Sequence, residues 1–483
     1  MKTFKQKSLY AALAGVSALG VTGAAQAVNV NPDGLGQVLI YPYYTTREDA
    51  AGNSYSSLLT VVNSTASAKA VKVRFLEGKN SQEVLDFNLF LSAHDVWTAA
   101  ILPTSAGGAG VGTFDKSCTV PTVSSDAANP SAFKNTLLGE PYIGDKSLDR
   151  TREGYAEIIE MGTILNGTST WTAVTHVNGV PPCTASALAT ATATLNTTNP
   201  TGGLFGDMTL LNVESVMDLS EDAIALDNFR NIAGYQDPSS IRPDLTEANP
   251  PVSVVVANNA VYQSFWNANT ADPISALFMH DQVYNTFVLD SGTKSGTDWV
   301  LTFPTKRYYY FPDGSVNYLF QRNFAPDGTG ACDDVSATLY DREERTVQAQ
   351  VGFSPPEPNA PNTLCWEANV LTFNSSKVLA STNLRNIDTN FQNGWANLNF
   401  TFQPGADFNS FGPHVLLDNS ATVTPIGGGP VTTALSYVGL PVIGFAVETY
   451  NNGTLNGGTI MSNYGGSYVH KGTRLITDAP LTN

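Results

Sequence analysis

The side chains that could do chemistry are scattered along this chain. Five histidines, His94, His176, His280, His414 and His470, stand far apart, with no H-E-x-x-H and no pair at i, i+4. No single helix or turn could therefore present two imidazoles to a zinc ion. A serine hydrolase needs its nucleophile on a strained strand-to-helix elbow, and no G-x-S-x-G occurs. Paired carboxylates could hydrolyse glycosides, and Asp341, Glu343 and Glu344 lie close in Tyr340-Asp341-Arg342-Glu343-Glu344-Arg345. The alternating signs there read instead as a solvated, salt-bridged turn, because acid and base roles need two carboxyls facing one cleft. Asp327-Gly328-Thr329-Gly330 with Asp333 and Asp334 gathers the oxygens that calcium uses, although it departs from an EF-hand loop. An Asp-Gly turn beside a cysteine bridge accounts for the same residues. Calcium at Asp327, Asp333 and Asp334 is the one cofactor suggested, and no catalytic residue is assigned.

Aromatic residues gather as Tyr41, Tyr43 and Tyr44, and as Tyr308, Tyr309, Tyr310 and Phe311. On strands some of them must face outward, where a row could stack on sugars or attach to a surface, while alternate members would fill a core. Four cysteines, Cys118, Cys183, Cys332 and Cys365, form no C-x-x-C pair and read as disulfides of an exported chain. Three connectivities exist. Cys118 with Cys183 and Cys332 with Cys365 is favoured, since each pair lies on one side of a low-complexity segment.

The elements that must position these residues are mainly strands. Leu58 to Val62, Val71 to Phe75 (with Lys72 and Arg74 opposed), Val84 to Leu91 and Val96 to Ile101 alternate with period two, as half-buried strands do. Their short polar turns predict consecutive antiparallel hairpins in one sheet. Residues 107–147 read as a long loop, and residues 154–164 as a strand. Two helices are predicted, Ala223 to Phe229 and Ile274 to Tyr284, the second behind Asp272-Pro273, with Ile274, Leu277 and Phe278 as packing residues. Strands return at Trp299 to Phe303, Arg307 to Phe311, Val316 to Phe320, Val335 to Leu339, Leu364 to Phe373, Trp395 to Phe402 and Val438 to Tyr450. The expected fold is mainly β, with antiparallel β-sandwich (Ig-like) domains and a few short helices in the middle. Its divisions are a signal peptide 1–27, an N-terminal sandwich 28–183, a low-complexity linker 184–203, a mixed helical segment 204–290 and a C-terminal β domain 291–483.

The chain has 483 residues, 42% hydrophobic but only 14% charged, against about 25% charged in an ordinary soluble domain. Its surface must be largely uncharged and polar. Lys2, Lys5 and Lys7 precede an apolar stretch that ends at Ala25-Gln26-Ala27, a pattern signal peptidase accepts, so cleavage after Ala27 is expected. The net charge of −17 deepens to −20 when those three lysines go, since no acid goes with them. That excludes nucleic acid and disfavours anionic lipid, both of which need a basic face.

Residues 31–44 (Asn31-Pro32-Asp33-Gly34-Leu35-Gly36-Gln37 into Tyr41-Pro42-Tyr43-Tyr44), 72–81, 298–306, 340–345 and 393–400 resemble exported "cell surface protein" sequences of Gram-negative bacteria. The resemblance implies an exported or surface location and carries no catalytic residue over.

The expected function is binding, adhesion or assembly at the cell surface or after secretion rather than catalysis, with the periplasm less favoured. The partners would be a second copy, an extracellular polymer or the cell envelope. Two rivals remain. A carbohydrate-active enzyme on a β scaffold would need a cleft with two carboxylates. An outer-membrane β-barrel shares the alternation but not the predicted helices, the disulfides or the Ala479-Pro480-Leu481-Thr482-Asn483 ending.

Overall fold

The computed structural model describes residues 26–478 apart from 137, 139–143, 189–195, 310–318, 321–330, 349–361, 402–413 and 456–459. It is mainly β, 51% strand and 7% helix, in several antiparallel sheets. The first strand is β1 (Val38–Thr45), and the alternating runs that follow form β2 (Ser56–Asn63), β3 (Lys69–Glu77), β4 (Glu83–Leu91) and β5 (Val96–Pro103). They do not make one sheet, as their turns predict. β3 and β4 are a true hairpin, whereas β2 pairs with β5 in the opposite layer. The link after β2 is an arch between layers, tied where Asn63 Nδ2 donates to the carbonyls of Ser67 and Ser92. Such an arch spans the roughly 10 Å between packed sheets.

β6 (Glu153–Ile164) inserts between β1 and β3. β7 (Leu204–Asn212) and β8 (Met217–Asp222) extend the β2–β5 layer. The expected 107–147 loop contains short strands at Ala109–Gly112 and Cys118–Val120. The helix predicted at 223–229 is instead β9 (Ile224–Asp227), paired with β1. Its acidic start imitates a cap, but the open edge of β1 outweighs local preference. Earlier in the chain come the short helices α1 (Ser169–Val174) and α2 (Ala185–Leu188).

The segment expected to be mixed helical continues as β10 (Val252–Ala257) and β11 (Ala260–Phe265), with helix confined to α3 (Asp272–Phe278). α3 stops well short of Tyr284 because Arg474 donates to the carbonyls of Leu277 (2.6 Å) and Met279 (2.8 Å), satisfying the helix end. Ile274, Leu277 and Phe278 are buried, as packing residues should be. The later strands are β12 (Gln282–Val288), β13 (Ser295–Thr302), β14 (Asp333–Asp341), β15 (Ala368–Phe373), β16 (Asn393–Asn399), β17 (Val415–Pro425), β18 (Val431–Val438), β19 (Phe445–Leu455) and β20 (Ile460–Val469). Three expectations fail here. Lys306–Tyr309 is a 3-10 turn, not a strand, the predicted strand 364–373 is interrupted over 365–367, and the predicted strand 438–450 is broken around Gly439 and Gly444, both at positive φ. Residues 310–318, which include most of the expected strand 316–320, lie outside the described residues.

β1, β3 and β6 are buried along their whole length. One face, with Tyr41, Val73, Phe75 and Ile158, packs on Leu59, Val61, Trp97 and Leu210 of the β2–β5–β7 layer. The other, with Ile40, Leu76, Tyr155 and Ile159, joins Phe287, Trp299, Leu301 and Leu398 from the second half of the chain. β13 is shared in the same way, Val300 serving the first core and Trp299 and Leu301 the second. Pro42 is tolerated in so central a strand because the β1–β6 register slips there, a bulge that removes the need for its N–H. Opposite it Gly154 is required, since a Cβ would run into the Leu76 carbonyl.

Covering both faces buries the polar half of each alternation. Lys69 meets Glu160 at 2.9 Å, Arg74 meets Glu157 at 2.5 Å and Glu83 at 2.8 Å, and Arg150 meets Glu77 at 2.7 Å. Lys72 meets Asp86 and donates to the Ser240 carbonyl of the segment lying over it. Lys72 and Arg74, which the alternation set opposite the apolar face of a half-buried strand, are with the others interior ion pairs. Replacing Arg74 by Met should cost about 3–5 kcal/mol in urea unfolding, because the fully buried Glu157 carboxylate loses its charge partner. A cost below 1 kcal/mol would show that this face is wet.

Candidate functional site

Most residues that looked chemical prove to be structural. Cys118 is bonded to Cys183 and Cys332 to Cys365, the favoured pairing. Tyr41, Tyr43 and Tyr44 all point inward, correcting the outward row: their hydroxyls donate to Thr60 O, Glu153 and Thr151 O. The bulge at Pro42 is what sends both Tyr43 and Tyr44 into one core. Tyr309 is buried and donates to Asp272 and Ser275; Tyr310 and Phe311 lie outside the described residues.

Of the calcium candidates, Asp327 lies outside the described residues. Asp333 sits 2.6 Å from the Lys306 ammonium, with His414 Nε2 3.5 Å from its other oxygen. The lysine charge holds this carboxyl below the ordinary range although burial pushes the other way. Its cation is thus supplied by the chain, and alternation directs Asp334 the other way. Among the described residues no group of three or more His, Cys, Asp or Glu is placed to hold a metal. Asp341, Glu343, Arg342 and Arg345 form the expected salt-bridged turn. His94 turns a corner at positive φ, and His176 accepts or donates at Ser92.

A different surface gathers exposed aromatic and polar side chains. β14, β16 and β12 lie side by side, and their burial alternates over 335–341 and 395–399 and, apart from Asn285, over 282–288. Val283, Phe287, Ala337, Leu339, Ala396 and Leu398 face the core. The outward rows are Tyr340–Trp395–Thr286, Thr338–Asn397–Tyr284 and Ser336–Asn399–Gln282, spaced about 4.8 Å across strands and about 6.8 Å along them. None of these nine side chains carries a charge. The rings of Tyr340 and Trp395 stack at 4.1 Å with planes 8° apart, and Tyr284 tilts 48° against Trp395 at 6.1 Å. Trp395 keeps 40% of its surface exposed, unusual for a tryptophan. Gln282 Oε1 accepts from the Tyr284 hydroxyl (2.5 Å) and from Asn397 Nδ2 (2.9 Å), which fixes both side chains in place. The face is therefore a rigid aromatic ridge among amides and hydroxyls, suited to neutral ligands that offer both apolar and hydroxylated surface.

Sequence reasoning recognised β14 and β16 but read the start of β12, up to Tyr284, as helix, and it missed this site. Tyr284, Tyr340 and Trp395 come from segments more than 50 residues apart, and only strand register assembles them. The legible signal was Trp395 within Asn393-Gly394-Trp395-Ala396-Asn397-Leu398-Asn399, where every outward position is polar or aromatic.

Two distant histidines do meet. His280 and His470 line one cavity with Arg474. Burial pulls His280 down to about 3 and His470 to about 4, so both rings are neutral in the fold. His470 spends its nitrogens on Asn285 and the Val300 carbonyl. No helix among the described residues is long and apolar enough to cross a membrane. Compared with known proteins, the chain matches no family model, no curated protein and no solved structure.

Since the unfolded chain protonates histidine near pH 6.5, His470 contributes stability that is complete above that pH and falls away as pH drops toward 4. The stability lead of the wild type over His470→Gln should therefore shrink between pH 7.5 and 4.5 in urea titrations. A lead independent of pH would mean that the ring is not desolvated.

Proposed function

We propose that this chain is exported to the cell surface or secreted, and acts there by binding rather than catalysis. Its contact for a neutral extracellular polymer, a polysaccharide above all, is the outward face of β14, β16 and β12. The observation that carries this reading is the Tyr340–Trp395 stack, with Trp395 exposed, among three rows of uncharged side chains that Lys471 flanks beside Tyr284. An aromatic surface accepts the apolar C–H faces of sugar rings, while the rows of Asn, Gln, Ser and Thr meet their hydroxyls. Absence of charge on those rows favours a neutral chain over an acidic one, which the chain's net −17 would repel in any case.

Two disulfides support an oxidising, extracytoplasmic setting. The lysine-led apolar N-terminal segment and the resemblance to exported surface sequences point the same way. The chemistry available at the face supports binding better than hydrolysis: Glu448, which reaches Thr286 at 2.7 Å, also accepts from Tyr450 and has no second carboxylate opposite it on these rows. A reading as adhesion to neighbouring cells or assembly with a second copy uses the same face and would differ only in what presents the ligand.

The test is retention on insoluble neutral polysaccharides such as cellulose, chitin and starch, with alginate as the acidic control. The wild type should bind at least one neutral polymer, and Trp395→Ala should weaken it about tenfold while changing stability by no more than about 1 kcal/mol. Equal retention of the variant, or no retention of the wild type on any neutral polymer, would contradict the proposal.

A further inference from the structure

A second recognition site lies where the short strand Asn29–Val30, α3 and the strands Lys471–Thr473 and Leu475–Thr477 converge, Lys471–Thr473 being paired with β12. Two adjoining cavities of about 170 and 270 Å³ share Val30, Leu277 and Arg474. Their walls are mostly aliphatic, from β10 on one side and from Val442 and Ile443 on the other. No acidic side chain lines either cavity, although acids outnumber bases 42 to 25 in the whole chain.

Arg474 stands at the junction. Its guanidinium donates to the carbonyls that end α3, and among the described residues no carboxylate lies within ion-pair distance of it. The buried cations Arg47, Lys69, Lys72, Arg74, Arg150, Arg230 and Lys306 each have such a partner, whereas half-buried Arg385, like Arg474, donates to neutral acceptors, the Thr363 carbonyl and Cys365 Sγ. Burial without a counter-ion pulls Arg474 down to about 10, so it is still charged at neutral pH. The carbonyls of a short helix offset part of that charge, but a guanidinium has five donors and the recorded bonds use three. Lys471, exposed at the rim of the larger cavity, adds a second positive charge.

We infer that this groove binds a small amphiphilic carboxylate, its aliphatic body lying along the valine and leucine walls and its carboxylate at Arg474. The occupant is identified by charge complementarity: an acid-free, cation-bearing apolar groove on an acidic protein admits an anion with an apolar body, and repels little of it. A neutral hydrophobe would leave the guanidinium unpaired, and a polyanion would meet the acidic surface around the groove.

The test is calorimetric titration of the full mature chain with decanoate below its micellar concentration, with decanol as the neutral match. Decanoate should saturate one site and bind about tenfold or more tightly than decanol, since a charge-assisted hydrogen bond separates them. Arg474→Gln should erase that preference. Because Arg474 also ends α3, Val469→Glu is the companion variant: it adds an acid at the exposed rim of the larger cavity, and should weaken decanoate severalfold with the melting temperature unchanged. Equal affinity for decanoate and decanol, or indifference of decanoate binding to both substitutions, would overturn the inference. So would co-sedimentation with phosphatidylglycerol vesicles in the absence of decanoate binding, which would make the site a lipid-surface contact.

Discussion

Strand β6 sets the terms for everything around it. It is covered on both faces, yet it carries Glu153, Glu157 and Glu160, each with almost no exposure. A buried carboxylate without a partner either takes up a proton or unfolds its surroundings. Each of these has a cation instead: Arg47 for Glu153, Arg74 for Glu157 and Lys69 for Glu160. Glu153 goes further, accepting from Tyr43, Ser381 and Thr382 as well, and so fastens the second half of the chain to the first. The hydrogen bonds and the Arg47 charge hold its carboxyl below the ordinary range against the opposing effect of burial. Interior ion pairs of this kind add little net stability but penalise every other register and packing. They fix which strand lies beside β6, and hence which residues the outer sheets can show.

That constraint also explains what could and could not be seen from residues alone. Period-two alternation identified the strands at 58–101 and 154–164 because alternation reports backbone geometry whether or not the polar face meets water. It could not tell that Lys72 and Arg74 are roofed by the segment around Ser240, since a buried ion pair and a solvated lysine are written with the same letters. Short polar links failed for a related reason. The arch after Asn63 and the hairpin turn after Glu77 have similar lengths and compositions, and only the competition for partners separates crossing between layers from turning back within one. At 223–229 the open edge of β1 decided the conformation, and at α3 a residue 200 positions away ended the helix.

Function was less legible than fold. The tyrosines that drew attention, Tyr41, Tyr43 and Tyr44, were adjacent in sequence, and adjacency in a central strand proved to mean burial. The ridge on the opposite sheet depends on Tyr284, Tyr340 and Trp395, whose proximity exists only once β12, β16 and β14 are in register. The histidines show the same limit: His280 and His470 meet in space, but His470 spends both nitrogens on Asn285 and the Val300 carbonyl and His280 turns Nδ1 to the Phe278 carbonyl. Cysteine pairing, by contrast, followed from position along the chain, because each bridge closes a loop within its own half.

The two disulfides fit an oxidising, extracytoplasmic setting, and the proposal that the chain meets its ligand outside the cell builds on them. Location tests that directly. Intact expressing cells would be shaved with protease and then fractionated, and peptides from residues 28–483 counted in the released, medium, periplasmic and membrane pools. The expected result is release of peptides from both halves of the chain, including those spanning Trp395, or their presence in the medium. An intact chain shielded from protease and recovered in the soluble periplasm or cytosol would contradict the reading of a surface or secreted binding protein.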